Sequence, residues 1–171
     1  MKRIGVLSDT HGFIHERLFQ FFEKADEIWH AGDIGSINTA DQLSEWKTLR
    51  AVYGNIDGQD VRSVYPQHLR FMCEEVDVWI THIGGYPGRY DQYVKPEIFN
   101  HPPKLFICGH SHILKVIYDQ KLGFLHINPG AAGYMGFHKV CTAVRFIIDG
   151  NEIRDLEVWE IPRKGVVNPQ D

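Results

Sequence analysis

Cysteine is scarce in this chain, and its placement excludes two kinds of site. Cys73, Cys108 and Cys141 are an odd number and form no C-x-x-C pair. A disulfide framework and a thiolate zinc site both need more. Two of the three sit in apolar runs, where free cysteine behaves as a small core residue. Positive charge is not in excess either: 18 Lys and Arg stand against 22 Asp and Glu, a net charge of -4. An electrostatic grip on long nucleic acid needs a basic stripe, and here the densest run is only Arg163-Lys164. No apolar run reaches the length of a transmembrane helix. The stretch after Met1-Lys-Arg is too short for a secretory leader. These features give a cytoplasmic protein as the expectation, with no membrane and no extended nucleic-acid grip. The glycine-rich P-loop is missing, as is the H-x-H-x-D-H run of metallo-β-lactamase-like hydrolases.

What remains is an ordinary globular composition, 43% apolar and 23% charged over 171 residues. One domain over residues 1–161 is expected, followed by a loose tail at 162–171 that lacks an apolar pattern. The first half alternates strand and helix: strands near 3–8, 27–31 and 50–53, helices around 15–24 and 38–47. Such alternation implies an α/β fold with parallel pairing and right-handed crossovers. The second half reads as strands near 68–73, 76–81, 105–108, 114–119 and 124–127, with one helix around 90–100. It ends in a hairpin whose strands, 141–148 and 152–161, flank Asp149-Gly150-Asn151.

Five of the apolar runs end in polar residues able to bind a metal. The first runs into Asp9-Thr-His11, the second into Gly32-Asp33, the third into Gly54-Asn-Ile-Asp57. Two more run into Thr81-His82 and Gly109-His-Ser-His112. Ligands in open α/β sheets gather beyond the carboxyl ends of strands. In an extended segment Asp9 and His11 would point to the same side, although Asp9 could equally cap the next helix. Gly32-Asp33 alone is a common turn dipeptide. Asn55 offers a neutral carbonyl oxygen to a hard or borderline cation. The His110-x-His112 pair is the strongest single piece, and the order of all five carries the case for a binuclear metal centre. His30 and His126 lie within strands and read as core residues; His15, His68, His101 and His138 read as surface histidines without partners.

The order D-x-H, G-D, G-N-x-D, T-H, G-H-x-H resembles the calcineurin-like metallophosphoesterases. With Asn128-Pro-Gly130 and the short length, it resembles their compact single-domain YfcE-type phosphodiesterases. The resemblance spans residues 2–161 and implies a two-sheet α/β sandwich with metals at the strand ends. It implies one metal on Asp9, His11, Asp33 and His112, and a second on Asp33, Asn55, His82 and His110. Asp33 would bridge, and Asp33 and Asn55 would act in catalysis through the metals. The implied ions are manganese, with iron, zinc, nickel or cobalt compatible with the same ligands. The implied reaction is hydrolysis of a small phosphodiester or nucleotide-type substrate by a metal-bridging hydroxide. A phosphomonoesterase using the same centre and a non-catalytic scaffold of the same fold remain alternatives. Two departures stand out: Ile56 where many relatives have His, and Ile83 where many have Gly. Arg89, Tyr90 and Lys139 are candidate substrate contacts, and a homo-oligomer is possible.

Overall fold

The computed structural model describes residues 1–163, so residues 164–171 of the expected tail lie outside the described residues. The first half of the chain contains β1 (Lys2–Leu7), α1 (Glu16–Phe21), β2 (Glu27–His30), α2 (Ile37–Trp46), β3 (Thr48–Ala51) and α3 (Gln59–Arg62). Next come β4 (His68–Cys73), β5 (Val76–Thr81), β6 (Gly85–Tyr86), β7 (Arg89–Tyr90) and α4 (Lys95–Asn100). The remainder is β8 (Leu105–Ile107), β9 (Leu114–Asp119), β10 (Phe124–Pro129), β11 (Val140–Asp149) and β12 (Glu152–Pro162). Pro162 therefore closes a strand and does not open a tail. Among the described residues, no helix is long and apolar enough to cross a membrane.

Two five-stranded sheets make the expected sandwich. One has the order β12-β11-β1-β2-β3 and the other β4-β5-β8-β10-β9. In each, three adjacent strands run parallel, β1-β2-β3 at one edge of the first sheet and β5-β8-β10 at the centre of the second, and the remaining strands pair antiparallel. Between the sheets pack Ile4, Val6, Trp29, Val78, Ile80, Ile107, Ile127 and Phe146, nearly all inaccessible. Full burial of such side chains stabilises by about 1.5–3 kcal/mol each. On the outer face of the first sheet, Leu18 and Phe22 from the α1 region and Leu43 of α2 cover Leu7 and Ile28. On the outer face of the second, Val94 and Ile98 cover Trp79, Phe106 and Phe124. These faces explain why the central strands read as continuous apolar runs.

Register fixes where the loops begin. Leu7 pairs with His30, and His30 with Ala51, so three parallel strands of the first sheet end level. Ile80 pairs with Ile107, and Ile107 with Ile127, so β5 and β8 of the second end within one residue of each other, while β10 runs on to Pro129. Each of the five strand-end motifs follows one of these level ends.

The expected helix over 90–100 is shorter. Tyr90 lies in the β6–β7 hairpin, which is closed by the Asp91 N–H donating to the Gly84 carbonyl at 3.0 Å. Helix α4 starts at Lys95, with Pro96 in its first turn, where a missing N–H costs nothing.

Candidate metal centre

The seven candidate residues converge from five loops, and they form two groups. Ligand-capable atoms of Asp9, His11 and His112 lie within 4.8 Å of one another, and those of Asp33, His82 and His110 do likewise. Asp33 Oδ2 faces both groups, 3.2 Å from His82 Nε2 and 3.6 Å from His11 Nε2. Asn55 Oδ1 joins the second group, 3.1 Å from His82 Nε2 and 3.0 Å from His110 Nδ1.

Each carboxylate has one oxygen tied down and one presented. Asp9 Oδ2 accepts the Ser8 hydroxyl at 2.6 Å and the His110 backbone N–H at 3.1 Å. Asp9 Oδ1 has no hydrogen-bond partner among the described residues yet is buried, 3.1 Å from His112 Nε2 and 3.9 Å from the Nε2 atoms of His11 and His82. In Asp33, Oδ1 accepts the Ile56 N–H at 3.0 Å, which leaves Oδ2 for the histidines. Nε2 of His11 is likewise buried without a partner. A carboxylate oxygen and an imidazole nitrogen left bare and close together are the donor set of a cation site, because burial without a partner is costly. The residues present therefore fit divalent ions.

The histidine rings are aimed by their other nitrogens. His82 Nδ1 donates to the Ala31 carbonyl at 2.7 Å, so its Nε2 keeps the lone pair that a metal needs. His30, fully buried, accepts the Gly32 N–H on Nδ1 at 3.1 Å and gives its Nε2 proton to Thr10 Oγ1 at 2.9 Å. It is a core histidine that braces the loop before Asp33, and burial pushes its pKa down to about 4. Burial raises the Asp9 carboxyl, but the adjacent His112 and His82 rings and the hydrogen bond from Ser8 outweigh it, and the group sits below the usual range. Asp33 behaves alike: burial is overcome by the adjacent His82 ring and by the Ile56 N–H. Burial lowers His82, yet the carboxylates of Asp33 and Asp9 beside it leave it raised. His110, pushed down by burial and by His82, is held low.

The loop backbone is unusual where it matters. Among the described residues, seven non-glycine residues have left-handed φ, and five of them are candidate ligands: Asp9, His11, Asp33, His110 and His112. Each such residue costs about 1–2 kcal/mol, so the strain is concentrated at the site. The extended Asp9-x-His11 geometry expected from sequence is thereby corrected: β1 ends at Leu7, and the φ values there are 53° and 48°. Asp9 does not cap a helix either, since His15 caps α1. Glycine is required at Gly109, where a Cβ would overlap Ser8 Oγ and lie 2.8 Å from Asp9 Oδ2.

Two residues at the site carried no assignment from sequence. Asp57 is 3% exposed, and its carboxylate accepts the backbone N–H groups of Ile34, Gly35 and Gly54 at 3.1, 2.8 and 2.8 Å. It ties the Asp33 loop to the Asn55 loop; its place in the Gly54–Asp57 block was the available signal. His138, expected to be a lone surface residue, instead abuts His112. No spacing in the sequence reveals that contact. Of the candidate substrate contacts, Tyr90 is withdrawn, because it is 5% exposed and its hydroxyl donates to Asp119 at 2.6 Å. Arg89 and Lys139 are exposed, and Arg89 lines a cleft that reaches His110. His126 is buried as expected.

A family model for the calcineurin-like phosphoesterase superfamily domain matches residues 1–151. A probable metallophosphoesterase of Methanothermobacter thermautotrophicus is 29% identical over 135 residues, covering 75% of this chain and 76% of that protein. Among solved structures, Vps29 of Chaetomium thermophilum superposes with a TM-score of 0.73 at 14% identity, over 94% of this chain and 97% of that one. A predicted phosphoesterase from Streptococcus pneumoniae gives 0.65 at 24% identity, over 98% and 93%. A structure described as a novel archaeal phosphodiesterase gives 0.65 at 21% identity, over 94% and 99%. At these identities the superpositions speak for the fold alone. The family match covers most of the chain and takes in all five strand-end motifs, and the chain belongs to the calcineurin-like phosphoesterase superfamily.

Proposed function

We propose that this protein is a phosphodiesterase dependent on two divalent metal ions, manganese being the expected pair. The observation that carries the reading is Asp33 Oδ2, placed between His11 of one ligand group and His82 of the other. Asp9, His11, Asp33 and His112 would hold one ion; Asp33, Asn55, His82 and His110 would hold the second. Bound there, two ions supply Lewis acidity toward phosphoryl oxygens and lower the pKa of water.

The chain's own residues set the rest. Asp9, Asp33 and His82 form a buried floor, whereas Asn55 and His110 are exposed, so substrate approaches from their side. Asn128 Nδ2 donates to the Gly109 carbonyl at 2.8 Å and to Ser111 Oγ at 3.0 Å, which fixes the loop that bears His110 and His112. Ile56, 47% exposed beside Asn55, offers no proton to a leaving group. That favours diesters whose leaving groups depart without protonation over alkyl monoesters.

Metal analysis with a two-substrate assay tests the reading. The wild-type protein should take up two equivalents of Mn²⁺ and prefer bis(p-nitrophenyl) phosphate to p-nitrophenyl phosphate. Asp33→Asn should lose metal from both groups and lose turnover with it. Full metal content and full activity in that variant would sink the assignment. A wild-type protein that stays inert after Mn²⁺ addition would favour a scaffold role.

A further inference from the structure

Two clefts open beside the candidate metal centre, and Ile83 and Asp91 line both. The first, about 320 Å³, runs between the β6–β7 hairpin and the start of β9 and reaches His110. The second, about 390 Å³, reaches His82 and Asn55. A phosphodiester carries two organic arms on one phosphorus. A centre with two clefts beside it has a seat for each arm, and a monoester would leave one seat unused.

The clefts differ in chemistry. In the second, the Arg62 guanidinium is already engaged by the carbonyls of Asp57, Gly54 and Asn55 and stacks on Tyr53, 4.6 Å from the ring centre. In the first, Arg89 and Lys115 make no ion pair among the described residues. Lys115 Nζ stands 3.9 Å from the centre of the Tyr86 ring, which sets a cation beside an aromatic surface. Ile113, 63% exposed, adds an apolar wall. Asp91 is the one carboxylate that lines this cleft, and its Oδ1 accepts the Tyr93 N–H at 2.9 Å. Two cations against one carboxylate leave a net positive cleft.

Deepest in its lining is His126. It is 0% exposed, and neither ring nitrogen has a hydrogen-bond partner among the described residues. Burial pushes its pKa down to about 4, so at neutral pH the ring is uncharged and offers one N–H and one lone pair. A buried imidazole with both edges unmatched is destabilising. Nearer the opening, Tyr86 is 38% exposed and offers a planar ring a face to stack on.

We infer that the Tyr86–Lys115 cleft seats one ester arm of the substrate and selects an arm that carries a planar polar ring and a further phosphate, as a nucleotide ester does. This rests on the phosphodiesterase reading, because the arm is defined by the phosphorus it shares with the metal centre.

Calorimetric titration of the Mn²⁺-loaded protein with a nucleoside 3′,5′-bisphosphate and with the 5′-monophosphate tests the cleft without turnover. The wild type should bind the bisphosphate about ten-fold more tightly, a margin that shrinks with added salt. The double variant Arg89→Ala/Lys115→Ala, whose side chains lie outside the core, should close that gap to within about three-fold. In turnover, the ratio of kcat/KM for the p-nitrophenyl ester of the bisphosphate to that for bis(p-nitrophenyl) phosphate should fall about ten-fold, chiefly through KM. Equal wild-type affinities, or a gap that the double variant leaves intact, overturn the inference. If the bisphosphate preference is present and lost as described while no diester is hydrolysed, the cleft stands and the phosphodiesterase reading falls. Turnover of bis(p-nitrophenyl) phosphate without any bisphosphate preference would overturn the cleft and leave the phosphodiesterase reading standing.

Discussion

Nδ1 of His138 lies 3.1 Å from Nδ1 of His112, and the two rings meet edge to face with centroids 5.0 Å apart. The far nitrogen of His138, Nε2, is 2.8 Å from the Gly133 carbonyl, so that nitrogen carries the proton. Nδ1 of a neutral His138 is then an acceptor, and His112 must donate from its own Nδ1. The consequence falls on His112 Nε2, which keeps its lone pair and points it at Asp9 Oδ1, 3.1 Å away. Two lone pairs facing each other at that distance suit a cation between them. Burial lowers the pKa of His138, which favours the neutral form that this chain of contacts needs.

His138→Ala should therefore free the His112 ring and weaken binding of one Mn²⁺ equivalent by about 10–100-fold, the usual effect of removing a partner behind a metal ligand. His138→Gln keeps an acceptor and should recover part of the loss. Calorimetric metal titration reads both, and an unchanged affinity in the alanine variant would remove the role assigned to His138.

Asp57→Ala strips the acceptor from three backbone N–H groups, those of Ile34, Gly35 and Gly54. Unmatched buried donors cost about 1–3 kcal/mol each, so a total loss of roughly 3 kcal/mol or more is expected. Urea unfolding of the metal-free protein measures it without interference from bound ions. Asp57→Asn retains one oxygen and should lose less. A loss below about 1 kcal/mol for alanine would mean that water replaces the carboxylate.

Five of the motifs were legible because the parallel strands end level. With Leu7, His30 and Ala51 in register, and Ile80, Ile107 and Ile127 in register, any polar residue placed just after them meets the others. Apolar runs mark such strands in the sequence, so the convergence could be read there. The left-handed backbone of Asp9 and His11 could not, because turns of that kind are imposed by contacts between loops. Asp9 N–H donates to the Gly32 carbonyl and His11 N–H to that of Asp33, partners more than twenty residues away. The β6–β7 hairpin escaped for a similar reason: Tyr90 is anchored by Asp119, on a strand that follows much later. Asp57 acts on backbone N–H groups, which leave no mark on residue type at the partner position, and His138 meets His112 across 26 residues of chain with no spacing to signal it.

Stability should fall as pH is lowered from about 6.5 toward about 4, because His30 and His126 are held neutral in the fold. In both, burial depresses the folded pKa to about 4, while the unfolded chain takes up protons from about 6.5 downward. Between those values the unfolded state binds more protons, so acid favours it, by on the order of 3 kcal/mol per histidine. His82 runs the other way: its pKa is raised, so its contribution is complete below its unfolded pKa and is lost as pH rises through the folded one. Comparing His126→Leu with the wild type isolates one group. The stability difference between pH 7 and pH 4.5, measured by urea unfolding with a chelator present, should shrink by roughly 2–3 kcal/mol in the variant. An identical pH dependence in both proteins would contradict the neutral buried His126.

Ile56 bears on which esters can be cleaved. Its backbone N–H is held by Asp33 Oδ1 at 3.0 Å, yet 47% of the residue is exposed, so the side chain stands at the edge of the centre without being needed in the core. Every candidate-ligand histidine has a ring nitrogen directed into a ligand group. None is therefore free to protonate a departing oxygen. An aryl oxide leaves without help, whereas an alkoxide needs a proton, so the wild-type rate should depend steeply on the leaving-group pKa. Ile56→His places an imidazole of ordinary pKa, about 6.5, at this half-open position. It should flatten that dependence and speed alkyl esters by about 10²-fold, the lower end of the 10²–10⁴-fold range of general acid catalysis, while aryl esters change little. Rates for a series of substituted phenyl and alkyl methylphosphate diesters give the slope directly. A slope that stays as steep in Ile56→His would show that the proton donor for this reaction has to come from elsewhere, and the absence of a histidine at 56 would then say nothing about substrate preference.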